Sequence, residues 1–324
     1  MTPPSSRRRA IQTLAAAALA ASNLPRPAAS AGGPGPMPGR RMKIDLVCAN
    51  LGVKATFLQA VDYASRYGFE SVAPEVSYLA TLDDSQVAGL LSDLYRRKIA
   101  LGAAPLAVDF RGDEQTFRAT LKDLPRDAQV LRRSGATRLT TWIRPADAYH
   151  TYLSNFGRHV DRLRQIALIL GDHGIRLGLE YVGPRTSWAS KRHPFIHTLA
   201  ETRELIEAIG RTNVGVVLDS WHWYCAGETP DDIRALSGRE VIACDLNDAP
   251  AGVPVDRQVD NARELPCATG VIDVKGFLNA LTSIGYEGPV RAEPFNAAVR
   301  ALKPEDAVAA TAKAMKTAFG LVGG

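Results

Sequence analysis

The chain of 324 residues is poor in the features that most readily betray a function. It has only four cysteines, Cys48, Cys225, Cys244 and Cys267, and no Cys-x-x-Cys pair. That spacing excludes a zinc ribbon and a dithiol redox motif. Neither G-x-G-x-x-G nor a P-loop occurs, so no glycine-rich loop cradles a dinucleotide or triphosphate. No apolar run reaches the roughly 20 residues needed to cross a bilayer. There are only six histidines. Evenly spread positive charge is missing as well. The net charge is +5, but Arg7, Arg8, Arg9 and Arg26 lie in the first 31 residues, which hold no acid. The remainder is left at +1, without the basic footprint of a nucleic-acid-binding protein.

What is present is ordinary globular composition, 46% hydrophobic and 23% charged, in a length that suits one large domain. The N-terminus reads as an export signal over 1–31. Ser6-Arg7-Arg8-Arg9 precedes the Ala-rich run Ala10 to Ala21, and Ala29-Ser30-Ala31 offers a small-residue cleavage site. The adjacent arginines resemble a twin-arginine signal, which implies a periplasmic protein. Residues 32–42, rich in glycine and proline, read as a linker, and 43–324 as the folded domain.

From Lys43 onward short apolar runs alternate with longer amphipathic ones, eight times. The short runs are Lys43–Cys48, Ser71–Val76, Ala100–Leu106, Arg138–Ile143, Ile175–Val182, Val214–Leu218, Val241–Leu246 and Pro289–Glu293. Near-continuous apolar runs are expected of strands covered on both faces. Alternation with helices implies a parallel sheet, and eight right-handed units close into a (β/α)8 barrel. An open doubly wound sheet would instead call for a glycine-rich phosphate loop after an early strand.

In such a barrel the site lies where strands end and βα loops begin. Four consecutive strands end in a carboxylate: Leu179-Glu180, Leu218-Asp219, Cys244-Asp245 and Ala292-Glu293. Glu75 ends the second strand, and His222 follows Asp219 by three residues. Four carboxylates at one rim repel each other, and a divalent cation relieves the repulsion. Oxygen donors suit manganese or magnesium. Trp142, Trp188, Trp221 and Trp223 all fall at or just past the same rim, where aromatic faces stack on sugars.

In this order and spacing, Leu179-Glu180, the D-x-x-H of Asp219 to His222, Asn247-Asp248, the D-x-x-R of Asp260 to Arg263 and Glu293-Pro294-Phe295 resemble the xylose isomerase-like barrel superfamily of sugar isomerases and epimerases. The resemblance spans Lys43 to Phe319. It implies Glu180, Asp219, Asp245 and Glu293 as metal ligands, and Glu180 and Glu293 as the acid/base pair. It implies His222 and Arg263 as holders of substrate oxygens; Trp142, Trp188 and Glu75 are expected as further substrate contacts from their place at the rim. Asp245 stands where that superfamily usually has histidine. The Pro-Gly-x-Gly after the arginine is altered to Pro266-Cys267-Ala268-Thr269-Gly270.

The implied chemistry is proton abstraction next to a carbonyl of an unphosphorylated keto-sugar or polyol, with isomerisation or epimerisation as the outcome. A lyase acting on a 3-keto-glycoside or inosose shares that first step. A sugar-binding barrel without catalysis is the reading from another class. An endonuclease of the same superfamily would need several metal-binding histidines, and only His222 sits at a strand end. The expected partner is a small sugar-like molecule, with no nucleic acid and no membrane span; homo-oligomers are allowed.

Overall fold

The computed structural model describes residues 40–322. The expected signal over 1–31 and most of the linker lie outside the described residues. The last linker residues belong to the packed domain. Met42 is buried, and Arg40 pairs with Glu70 at 2.8 Å while lying over the Phe319 ring.

Nine short strands form one parallel sheet: β1 (Lys43–Leu46), β2 (Ser71–Val72), β3 (Ala100–Leu101), β4 (Ala104–Pro105), β5 (Arg138–Trp142), β7 (Arg176–Glu180), β9 (Val214–Asp219), β10 (Val241–Leu246) and β11 (Pro289–Ala292). Their order is β3-β2-β1-β11-β10-β9-β7-β5-β4. The two ends of that order, β3 and β4, are halves of one run interrupted only at Gly102-Ala103, so the sheet closes on itself as the eight-stranded barrel read from the sequence. The remaining strands, β6 (Ala146–Asp147) and β8 (His193–Pro194), pair antiparallel as a small flap made by the loops after β5 and β7.

Glycine at the interruption of the third strand has a steric reason. A Cβ at Gly102 would sit 2.5 Å from the Asp45 carboxylate, so glycine there makes room for a charged group inside the barrel. Asp45 is one of a belt of polar residues at matched register around the interior: Asp219 pairs with Asp245, Asp245 with Arg291, Arg291 with Asp45, and Asp45 with Ser71. All five are buried. Side chains at paired positions of neighbouring strands point to the same face, so these residues share the inside of the barrel.

The helices start where the sequence supplies caps. Thr56 and Asp83 form capping boxes with Gln59 and Gln86 for the helices Phe57–Tyr67 and Asp84–Arg96. Thr151 and Thr198 cap Tyr152–Asp172 and Leu199–Ile209. Between β4 and β5 there are two helices, Glu114–Leu121 and Leu124–Arg133, because Pro125 suits the first turn of a new helix and not the interior of an old one. The second strand is shorter than its apolar run, since Val76–Leu79 turns into a helix with Glu75 at its start. The longer helices lay their apolar stripes on the barrel. In Tyr152–Asp172 the stripe is Val160, Leu163, Ile166, Ala167 and Leu170, all buried.

Candidate active site

A cavity of about 640 Å³ opens at the C-terminal ends of the strands. Its floor holds Glu180, His222, Arg263 and Glu293, and its walls include Trp142, Arg144, Lys191, Asp260 and Phe295. Each floor carboxylate is fixed by the strand that delivers it. Glu180 ends β7 after Leu177 and Leu179, which are fully buried. Asp219 ends β9, caps the helix Ser220–Cys225 through the Trp221 N–H at 2.7 Å, and accepts from Asn247 Nδ2 at 3.0 Å. The same Asn247 accepts the Glu293 backbone N–H at 2.9 Å. One amide thus ties the ends of β9 and β11 together.

Arg263 is the hub. Its Nη1 donates to Asp219 Oδ2 at 2.7 Å and to Glu293 Oε2 at 3.2 Å, and its Nη2 to Asp260 Oδ1 at 2.8 Å. The Phe295 ring lies 4.7 Å from the guanidinium carbon. Phe295 adopts a left-handed backbone, φ 40°, which aims this ring at the site, a strain that non-glycine residues accept where function demands it. Burial alone would pull the guanidinium down, but Asp219, Glu293 and Asp260 hold it well above its ordinary value.

His222 is buried, with Nδ1 accepting the Gly183 backbone N–H at 3.3 Å and Nε2 lying 3.2 Å from Arg263 Nη2. Burial, and then the Arg263 charge, push its pKa down to about 3, so the ring is neutral. Its Nε2 lies 3.7 Å from Glu180 Oε1.

The two glutamates are proton acceptors of raised affinity. Burial pushes the Glu180 carboxyl well up, and Glu293, Asp245 and Asp219 add repulsion. Glu293 rises to about 8 by burial and by the Asp245 charge. Glu180 Oε1 is buried with no hydrogen-bond partner. A buried carboxylate oxygen without a partner calls for a cation or a substrate group. Ligand atoms of Glu180, Asp219 and His222 lie within 4.8 Å of one another, and so do those of Glu180, Asp245 and Glu293. This donor set fits a divalent cation.

The structure therefore brings together Glu180, Asp219, His222, Arg263, Glu293 and Trp142, as the sequence pattern predicts. Asp245 also belongs to this cluster, and four other residues, Glu75, Trp188, Trp221 and Trp223, stand elsewhere. Asp245 is buried at the same level but its two oxygens face Arg291, with Nε at 2.6 Å and Nη2 at 3.0 Å. Glu75 does not line this cavity; it borders a separate one of about 380 Å³ beside Cys48 and Pro105. Trp188 does not line it either but stacks on His197 at 4.8 Å. Trp221 and Trp223, just past β9, turn into the core, Trp223 edge-on to Phe277. The helix that follows Asp219 carries these two rings inward while leaving His222 on the cavity side.

Residues 61–318 match the family model described as the xylose isomerase-like TIM barrel. The chain belongs to this family. A structure of a xylose isomerase domain protein from Alicyclobacillus acidocaldarius superposes with a TM-score of 0.76 at 30% identity, over 87% of this chain and all of that one. The IOLI protein with a binding zinc atom superposes at 0.72 and 19% identity, over 87% of this chain and 99% of that one, a likeness of fold alone. The inosose isomerase of Bacillus subtilis (strain 168) is 28% identical over 151 residues, 46% of this chain and 50% of that one. The chain spans about half the length of the curated relatives it matches.

Several members of this xylose isomerase-like site are not evident from strand ends. Asp260 reaches Arg263 from the same loop, and Asn247 cross-links β9 and β11. Asp248 accepts backbone N–H groups from Ala249, Thr269, Gly270 and Ile272, so it shapes the loop that carries Arg263. The altered Pro266–Gly270 segment is held by this carboxylate and by the Thr269 hydroxyl donating to the Ala249 carbonyl, with Cys267 at φ 63°. The adjacency of Asp248 to Asn247 in the sequence is the only signal of this role.

Proposed function

We propose that the chain is a divalent-metal-dependent isomerase or epimerase acting on a polyhydroxylated ketone that carries no phosphate. The observation that carries this reading is the pair Glu180 and Glu293. Their carboxylate oxygens come within 4.8 Å of each other on the cavity floor, and burial raises the proton affinity of both. Glu180, Asp219 and Glu293 would hold the metal, with manganese or magnesium favoured by an oxygen donor set and zinc also compatible. A divalent cation bound there would polarise the substrate carbonyl.

The chain's own residues do the rest. One glutamate takes the proton from the carbon next to the carbonyl, and the other, across the floor, returns a proton on the opposite side. Arg263 and neutral His222 hold substrate hydroxyls by hydrogen bonds, and Trp142 and Phe295 cover the ring's apolar face. Excess negative charge at the floor disfavours a phosphate beside the reacting carbon. Inosose, named in the relatives' activity, is the first substrate to test. With metal-loaded protein we expect an isomer or epimer, and a rate about 10²- to 10⁴-fold lower for Glu293→Gln. An enone product would assign elimination instead. Tight inosose binding without turnover would sink the enzymatic reading.

We also propose export through residues 1–31, on the evidence of Arg7, Arg8 and the apolar run that follows. A reporter fused to this segment should leave the cytoplasm; if it leaves equally well with both arginines changed to lysine, the twin-arginine route is wrong.

A further inference from the structure

We propose that Glu228 is a positioning residue of the site: through the Tyr181 hydroxyl it fixes the end of β7, and so the direction in which Glu180 enters the cavity. This rests on the metal-dependent reading above and adds to it a residue that lies outside the cavity.

Glu180 and Val182 line the cavity, and Tyr181 between them does not. Extended chain imposes that alternation, since successive side chains point to opposite sides. The Tyr181 ring is therefore a handle on the far side of the same short segment. It is fully buried, and its centroid lies 6.3 Å from that of the His222 ring. Its hydroxyl donates to Glu228 Oε2. A turn of the backbone that redirected Glu180 would swing the phenol the other way and break this bond.

Glu228 is itself held on several sides. Its other oxygen, Oε1, accepts the Leu199 backbone N–H at 2.7 Å, at the start of the helix Leu199–Ile209 that follows the flap strand β8. Its own N–H donates to the Trp223 carbonyl at 3.2 Å, on the helix that carries His222. The Trp223 indole N–H donates in turn to the Thr229 carbonyl at 3.2 Å, and Thr229 caps the helix Pro230–Arg234. One side chain thus joins the end of β7, the base of the flap and the His222 helix. Both its oxygens are taken up, and it does not line the cavity, so its effect on the reaction passes through Tyr181.

Glu180 needs such an anchor. Its Oε1 has no hydrogen-bond partner, so the backbone that delivers the carboxylate sets its direction. On one side that backbone is tied by the Ile143 N–H, which donates to the Glu180 carbonyl at 2.7 Å. On the other it is tied by the Gly183 N–H on His222 Nδ1 at 3.3 Å. The Tyr181–Glu228 bond is the side-chain tie between the two. Small displacements of a reacting group are costly, so a tie at this place bears on rate and on metal affinity.

Two measurements read the position of Glu180, as ligand and as proton carrier: calorimetric titration of the purified chain with Mn²⁺, and deuterium exchange into inosose in D2O with the Mn²⁺-loaded chain. Phenylalanine fills the same space as Tyr181, so Tyr181→Phe cuts this one bond. We expect Tyr181→Phe and Glu228→Ala each to lower both Mn²⁺ affinity and the kcat of exchange about 10- to 100-fold. The double variant should lose no more than the worse single one, because both changes cut the same bond. Glu228→Gln, whose amide can accept from Leu199 and donate to Tyr181, should recover most of both. If Glu228→Ala does not melt cooperatively, Tyr181→Phe and Glu228→Gln carry the test. A Tyr181→Phe chain that keeps wild-type Mn²⁺ affinity or wild-type kcat overturns the proposal, whatever its melting temperature. So do losses that add up in the double variant, or that glutamine fails to restore. If the wild type binds Mn²⁺ without exchange into inosose, the affinities decide by the same criteria. A wild type that neither binds Mn²⁺ nor exchanges overturns the proposal together with the metal-dependent reading, an outcome recognised in the wild type alone.

Discussion

At the scale of single residues the barrel buries several carboxylates, and most of them have a named partner. Asp219 is met by Arg263 and Asn247, Asp245 by Arg291, Asp45 by Ser71. Removing one partner of such a buried pair costs about 3–5 kcal/mol. Glu228 is the case that pH can test. It sits away from the floor, accepting from the Leu199 N–H at 2.7 Å and from the Tyr181 hydroxyl. Burial raises its pKa to about 7 from an ordinary 4.5. The native state therefore holds this proton more tightly than the unfolded chain. Its contribution is fully present below about pH 4.5 and is lost as pH rises towards 7. At 1.36 kcal/mol per unit the loss is about 3 kcal/mol. Denaturant titrations between pH 4.5 and 7 should show Glu228→Gln less pH-sensitive than the wild type by that order; an identical slope would exclude the assignment.

At the scale of elements, the sequence makes the eight strands and most helices legible because burial on both faces leaves near-continuous apolar runs, and caps mark helix starts. The strand ends then bring Glu180, Asp219 and Glu293 to one end of the barrel. Register is what the sequence does not disclose. Asp245 looks identical to its neighbours as a strand-end acid, and only pairing of β10 with β11 reveals that Arg291 stands beside it. Trp221 and Trp223 illustrate the same limit, since the turn of Ser220–Cys225 decides which side chains face inward. Glu75 is misplaced because its apolar run ends in a helix and not in a strand.

The contact between the β7 end and the helix Ser220–Cys225 is another such feature. A Cβ at Gly183 would lie 2.3 Å from the His222 carbonyl oxygen, a backbone atom that cannot rotate away. Gly183→Ala should destabilise the fold by about 1–3 kcal/mol and displace His222 from the cavity. Denaturant unfolding together with KM measures this. Unchanged values in both would show that the two segments are not in contact.

For the whole molecule, the parallel barrel gathers side chains from β7, β9 and β11, separated by more than a hundred residues of chain, onto one floor. The fold makes the cavity; the carboxylates and Arg263 give it a chemistry. The belt of Asp219, Asp245, Arg291, Asp45 and Ser71 runs around the barrel interior at one register. The proposed reaction at this floor is removal of a proton from the carbon next to a carbonyl, with the help of a divalent metal. The direct measurement is proton NMR of a polyhydroxylated ring ketone in D2O with the metal-loaded protein. The account predicts deuterium entering at the carbon beside the carbonyl, stopped by chelation and reduced about 10²- to 10⁴-fold by Glu180→Gln or Glu293→Gln. Exchange that persists unchanged in both glutamine variants, or after chelation, would contradict it.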